Sequence, residues 1–260
     1  MRLSPRYLLE YRRPYHSQHG EDGVLEYILY QLPKRDHWCV EFGAWDGIHL
    51  SNTYFLLSKW NYNAVMIEGV KERYETLLNL QKKHNKLICI NRFVTLDGDG
   101  TLDKILQETN IPKDFDLLSI DIDGDDYHIY KSLNNYKPKV IIIEINIKNK
   151  PDVRKINKIG SPILPGVSGT SILSMTELAK EKGYSLVANI SCNAVYVRDE
   201  YYHLFHKKEY HPKDFFTFEG HSRSELTLRE YIRRRTEKIR IQKTRLFSSH
   251  QDILRRNWSL

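Results

Sequence analysis

Four short stretches of this 260-residue chain set acids and glycines where chemistry could be done. The first is Glu41-Phe42-Gly43-Ala44-Trp45-Asp46-Gly47, a carboxylate followed by two glycines. Gly43 permits a tight turn and a close backbone approach. The spacing is not Gly-x-Gly-x-x-Gly, so the pyrophosphate cradle of dinucleotide-binding sheets is missing. An acid at that point repels phosphate and suits an amine. The second is Glu68, closing the next apolar run, where a carboxylate can accept hydrogen bonds from the two hydroxyls of a ribose. The third is Asp121-Ile122-Asp123-Gly124-Asp125-Asp126 and the fourth Glu144-Ile145-Asn146. Asp121 and Asp123 share a face of an extended chain, as do Glu144 and Asn146. Oxygen donors clustered in this way suit a hard cation such as Mg²⁺ or Mn²⁺. Without a metal, they serve as a hydrogen-bonded acidic cluster that holds loops or substrate hydroxyls.

The elements that must position these groups are legible from hydrophobic period and punctuation. Trp38–Phe42, Asn63–Ile67, Leu87–Phe93, Phe115–Ile122 and Val140–Ile145 are short apolar runs of the kind that form strands buried on both faces. Between them, helical spacing covers 51–60, 71–84, 102–108 and 127–133, and a further helix covers 22–31 ahead of the first strand. Ser51 is an N-cap candidate. Residues 148–169 read as a long loop rich in Pro and Gly, a functional or mobile segment by its length. A helix over 171–182 ends at Gly183, and 184–190 with 194–197 form a closing strand pair. Strands alternating with helices from 38 to 183 predict an α/β fold, a doubly wound and mostly parallel sheet whose ligands sit at the carboxyl ends of the strands.

Composition narrows the classes. Hydrophobic residues make up 40% and charged residues 28%, as in an ordinary globular chain. No apolar run approaches the roughly 18 residues of a membrane span. The N-terminus lacks the apolar stretch of a secretory signal. Cys39, Cys89 and Cys192 are odd in number and widely spaced, which reads as reduced thiols in a cytoplasmic protein. The formal charge of +7 is carried by residues 221–260, where eleven Lys and Arg face four Asp and Glu. The expected division is therefore 1–205 as the catalytic domain and 206–260 as an aromatic, then basic and helical extension.

Taken as an ordered set, the motifs resemble those of class I S-adenosylmethionine-dependent methyltransferases. The nearest resemblance is to the FkbM-type family and its bacterial sugar-modifying relatives. Besides the four stretches, it includes Ser17-Gln18-x-Gly20-Glu21-Asp22, Ser51-Asn52-Thr53 and Asn193-Ala194-Val195-Tyr196-Val197-Arg198, and it spans residues 15 to 205. The resemblance implies a seven-stranded, Rossmann-like sheet with its last strand antiparallel. It implies a methyl donor above the first two strands, with Glu41, Gly43 and Gly47 at the methionine end, Glu68 on the ribose, and Gln18 and Ser51 completing the pocket. It further implies that Asp121, Asp123, Glu144 and Asn146 face the acceptor. Some related O-methyltransferases hold a divalent ion between the fourth and fifth strands.

The activity expected from these residues is O-methylation of a sugar hydroxyl, on a sugar nucleotide or a surface-glycan precursor. An alcohol needs a base or a metal to become a nucleophile at neutral pH. The expected arrangement is a cation on Asp121, Glu144 and Asn146, with Asp123 or His128 taking the proton. The competing expectation is a nucleic-acid-binding methyltransferase that uses the basic tail, with Arg233-Arg234-Arg235 on phosphates. Glu225, Glu230 and Glu237 interleave with those bases, as on a solvated helix, and the Asn-Pro-Pro-Tyr motif of base-amine methylation is absent. The sequence therefore favours the sugar substrate over nucleic acid. The aromatic stretch from Tyr201 to Phe218 is the expected surface for a homo-oligomer.

Overall fold

The computed structural model describes residues 4–122, 124–161 and 167–216. Asp123 and the basic tail fall outside the described residues, as does most of the expected C-terminal extension. Seven strands form one sheet: β1 (Trp38–Phe42), β2 (Asn63–Ile67), β3 (Leu87–Ile90), β4 (Leu117–Ile120), β5 (Val140–Glu144), β6 (Tyr184–Ile190) and β7 (Asn193–Arg198). Their order is β3-β2-β1-β4-β5-β7-β6. The first five are parallel, and β7 runs antiparallel between β5 and β6. This is the doubly wound, Rossmann-like α/β fold. The order reverses between β1 and β4, which creates a crevice at the carboxyl ends of those two strands.

Helices cover both faces. α1 (Glu21–Gln31), α2 (Tyr54–Lys59) and α3 (Lys71–Gln81) pack on one face, around Cys39, Ala64, Met66, Leu117 and Ile142. α4 (Leu102–Gln107), α5 (Asp126–Ser132) and α6 (Ile172–Glu181) pack on the other, around Val40, Val65, Leu118, Ile141 and Ile143. Alternate residues of each central strand thus enter different cores, which is why these strands are apolar throughout rather than every second residue. Two short helices, α7 (Asp199–Tyr202) and α8 (Pro212–Phe215), follow β7. Phe215 is buried in the second core, and His206 is boxed by Tyr7, Tyr202, Tyr210 and Phe215. The packed body therefore continues past residue 205 to at least Phe216. Among the described residues no helix is long and apolar enough to cross a membrane.

Three strands are shorter than their apolar runs, β3 by three residues, β4 by two at each end and β5 by one. β3 stops at Ile90 because Asn91 turns its amide back to the Glu68 carbonyl (2.8 Å) and the Phe93 ring lies flat on Gly69. A Cβ at Gly69 would sit 2.2 Å from that ring. Asp116, just before β4, is buried at the opposite edge of the sheet, and its backbone still pairs with Trp38 and Val140. Its carboxylate accepts the Asp36 and His37 amides and the ammonium of Lys139 at 2.8 Å. Lys139 is 1% exposed; it also donates to the Asp36 carboxylate and the Asp114 carbonyl. Burial alone would lower the Lys139 pKa, but its bonds to Asp116 and Asp36 outweigh that and raise it.

This network joins the amino ends of β4 and β5 to the segment before β1. Removing one charge leaves the other buried without its counter-ion. Lys139→Met is expected to cost about 3–5 kcal/mol of unfolding free energy in a urea titration. A loss below about 1 kcal/mol would show that the network does not bear on the fold.

Candidate functional site

The site is built where β1, β2, β4, β5 and β7 end. Register sets its polar row: Glu41 lies opposite Met66 and Ser119, and Glu144 lies opposite Asn193. Strand alternation turns Glu41, Ser119, Glu144 and Asn193 to the face covered by α1–α3. Glu68 and Asp121 follow β2 and β4 by one residue.

The loop after β1 is wound tightly, with Gly43, Trp45, Gly47 and Leu50 all in the left-handed region (φ 76°, 52°, 75° and 59°). For Trp45 and Leu50 that conformation is strained. The winding aims amides at buried acids. Glu68, 4% exposed, accepts the Trp45 N–H (3.0 Å) on one oxygen and the Val70 N–H (2.7 Å) on the other. Burial raises its pKa, against the pull of those bonds and of Arg73. An ionised carboxylate has about four acceptor positions. With the Gly69 N–H also bonding to it, Glu68 retains about one for a ligand.

Glu41 is committed to the fold more fully. Its carboxylate accepts the Ser51 hydroxyl (2.5 Å), the Thr53 hydroxyl (2.6 Å) and the Asn52 N–H (3.0 Å). Burial pushes its carboxyl up while the bonds from Ser51 and Thr53 pull it down. Ser51 also accepts the Tyr54 N–H at 3.0 Å, although the N-cap of the next helix is Thr53 and not Ser51 as expected. Asn52 then reaches across to Ser119 of β4 at 3.1 Å. Glu41 and Ser51, both expected to touch the donor, therefore act by fastening the loop that bounds the pocket.

The two glycines differ in function. A Cβ on Gly43 would lie 2.4 Å from the Asp121 carbonyl, so this glycine lets the first loop lie against the end of β4 at the crevice. A Cβ on Gly47 would meet Leu77, Leu80 and Met66 at 2.7–2.9 Å, so Gly47 faces the α3 packing rather than the crevice. Gln18 is exposed in the segment before α1. The turn around it is held by acids at the start of α1. Asp22 accepts the His16 and Ser17 amides (2.6 and 2.8 Å), and Glu21 accepts the His19 amide (2.7 Å). Glu21 also accepts the Asn193 side-chain amide at 2.8 Å, which places α1 beside β7 at the same edge.

On the acceptor side, the Cys192 thiol is pushed well up, first by burial and then by the charges of Glu144, Asp121 and Glu21. The register sets Asp121 beside Glu144, and Asn193, opposite Glu144, donates to Glu21. Asn146 does not join these acids as a ligand. Its Nδ2 donates to the Ser168 carbonyl (2.6 Å) and its Oδ1 accepts the Lys148 amide (2.9 Å). Among the described residues, no three His, Cys, Asp or Glu come together as a metal-holding group. The expected set of Asp121, Glu144 and Asn146 is therefore not supported as a divalent-ion site, and the Asn146 amide is engaged with the long loop. His128 is likewise a loop anchor, with its Nε2 2.6 Å from the Asn157 carbonyl. The loop from 148 is therefore tied down at several points, including Lys155 N–H on Ser171 and Ser174.

Asp126, which sequence reasoning passed over, closes the third motif. It accepts the Ile122 and Gly124 amides at 2.9 and 2.8 Å and so holds the turn that carries Asp121. Its position at the first turn of α5 was the available signal.

No protein-family model matches the chain, and no curated protein matches it. Solved structures do. The N-terminal domain of EvdMO1, solved with SAH and D-fucose, is 13% identical over 70% of this chain and 83% of its own, with a TM-score of 0.47. A SAM-dependent methyltransferase from Aquifex aeolicus is 13% identical over 75% of this chain and 98% of its own, at 0.42. The CurJ carbon methyltransferase is 12% identical over 68% of this chain and about half (52%) of its own, at 0.45. Likeness at this level carries no argument about chemistry.

The glycine assignment has a direct test. Gly47→Ala is expected to lower stability by about 1–3 kcal/mol through overpacking and left-handed strain. Gly98→Ala has a similar φ of 68° and open space around it, and should cost clearly less. Thermal melts of the two variants compare them; equal losses would mean that Gly47 has no packing role.

Proposed function

We propose that this chain is an S-adenosylmethionine-dependent O-methyltransferase acting on a sugar hydroxyl, of the FkbM-type family. The observation that carries the reading is Glu68. It is a buried carboxylate at the end of β2, held by the backbone amides of Trp45, Gly69 and Val70, with acceptor capacity left beside the β1/β4 crevice. That is the chemistry needed to bind the two hydroxyls of a ribose. Gly43 lets the first loop close onto the end of β4 at Asp121, so that the two together border the place proposed for the methionine end of the donor.

S-adenosylmethionine, when bound, supplies a methyl group on a positively charged sulfur. The residues of this chain do the rest. Glu68 fixes the nucleoside, the loop fastened by Glu41 walls off water, and the acids of the acceptor corner orient hydroxyls by accepting their hydrogens. In this reading Asp121 or Glu144 takes the proton from the attacking hydroxyl. Asp121 and Glu144 also favour a hydroxyl-bearing acceptor over one bearing phosphate at the reacting end, since phosphate would be repelled there.

Calorimetry with S-adenosylmethionine tests the donor site. The native chain is expected to bind, and Glu68→Ala to lose binding by at least tenfold. The carboxylate form of Glu68 accepts the ribose hydroxyls. Because burial raises its pKa, affinity should fall as the pH drops through a window above the usual glutamate range. Glu68→Gln should remove that pH dependence. No binding by the native chain would end the proposal.

The acceptor side is tested by release of S-adenosylhomocysteine with a panel of sugar nucleotides. Asp121→Asn and Glu144→Gln should keep donor affinity, and the variant that removes the base should lose about 10²–10⁴ in turnover. Full turnover in both would place the base elsewhere.

A further inference from the structure

A second cavity, of about 370 Å³, lies between the chain just before α1, the outer side of α1 and the end of α2. Its size falls in the range of small-molecule sites, roughly 300–1,000 Å³. α1 separates it from the sheet: Val24, Leu25, Ile28 and Leu29 face the core, whereas Glu26, Tyr27 and Tyr30 line the cavity. None of the cleft residues described above borders it.

The cavity is built rather than incidental. Gly23 lets the backbone of residues 11–13 lie directly on α1; a Cβ there would sit 2.1 Å from the Tyr11 carbonyl oxygen. Tyr11 stacks on Tyr27, with ring centroids 3.8 Å apart. Glu26 bridges the rest: one oxygen accepts the Tyr15 hydroxyl (3.3 Å) and the other the Trp60 indole N–H (3.2 Å). Two of its four or so acceptor positions are left. Tyr30 is 69% exposed, a large ring on the surface that core packing does not require.

Charge decides between ligand classes. Aromatic rings around an acid could hold a quaternary ammonium. Here protein cations already use the rings. Lys59 Nζ sits 3.4 Å from the Tyr15 centroid, and the Arg35 guanidinium sits 5.6 Å from Trp60 and 5.9 Å from Tyr30. Arg13 lines the cavity as well. Three cations against one carboxylate disfavour another cation. A wholly apolar ligand would bury Glu26 with its remaining positions unmet, at a cost. A pyranose ring satisfies both demands: its C–H face packs on tyrosine and tryptophan, and neighbouring hydroxyls donate to Glu26 and accept from Arg13. We propose that this cavity is a saccharide-binding site, separate from the methyl-transfer cleft. It goes beyond the reading of the cleft and stands whether or not that reading holds.

The Trp60 indole N–H, which donates to Glu26, is the reporter. Its resonance in ¹H–¹⁵N spectra of the full chain is assigned by Trp60→Phe and followed during titrations with glucose, N-acetylglucosamine, rhamnose and choline. A saturable shift with at least one saccharide and none with choline is expected. Tyr30→Ala, at an exposed position, and Glu26→Gln should each weaken it about tenfold, with S-adenosylmethionine binding unchanged. A shift with choline alone, no shift with any saccharide, or a saccharide shift that survives Tyr30→Ala would overturn the proposal. Saccharide binding in the cleft would move other resonances and persist in that variant.

Discussion

Buried carboxylates that must find hydrogen-bond donors organise the carboxyl edge of this protein. An acid taken out of water is costly unless donors surround it. Glu41 and Glu68 end adjacent strands, and both are buried. The segment from Gly43 to Thr53 satisfies them, presenting the Trp45 amide to Glu68 and the Ser51, Asn52 and Thr53 groups to Glu41. That demand accounts for a loop with four left-handed residues in eight. The same loop forms the wall of the crevice at the strand-order reversal. Its shape follows from the needs of the acids rather than from a ligand.

The principle repeats on the acceptor side. Asp126 gathers amides of the turn after β4, Asp22 and Glu21 gather those before α1, and Asn146 and His128 gather carbonyls and amides of the long loop. Each acts on the backbone. Polar side chains of the types expected in a site thus serve here to hold loops. Asp116 and Lys139 show the same rule at the far edge, where the network fixes strand starts and has no ligand to serve.

Much of the fold was legible. The alternation of apolar runs with helical spacing gave the strands of the sheet, because a strand buried on both faces has to be apolar at every position. Glycine and acid positions at strand ends pointed to the correct edge of the sheet, since an open parallel sheet leaves its ligand crevice there. Strand ends were less legible. Leu87–Phe93 and Phe115–Ile122 read as longer runs than β3 and β4; past β3, Asn91 takes a partner distant in sequence.

The sequence by itself determined which residues lie at the carboxyl edge, because strand order and polarity fix that edge within a few residues. It could not say which of them face a ligand. Glu41, Ser51, Asn146 and His128 carry the residue types of a site, yet each is spent on a nearby backbone or hydroxyl group. Gly43 and Gly47 are alike in sequence, but one faces Asp121 and the other faces Leu77 and Leu80. Only the tertiary structure decided these cases. A side chain's hydrogen-bonding capacity is set by its chemistry, but whether any of it is left over depends on which distant segments are packed against it.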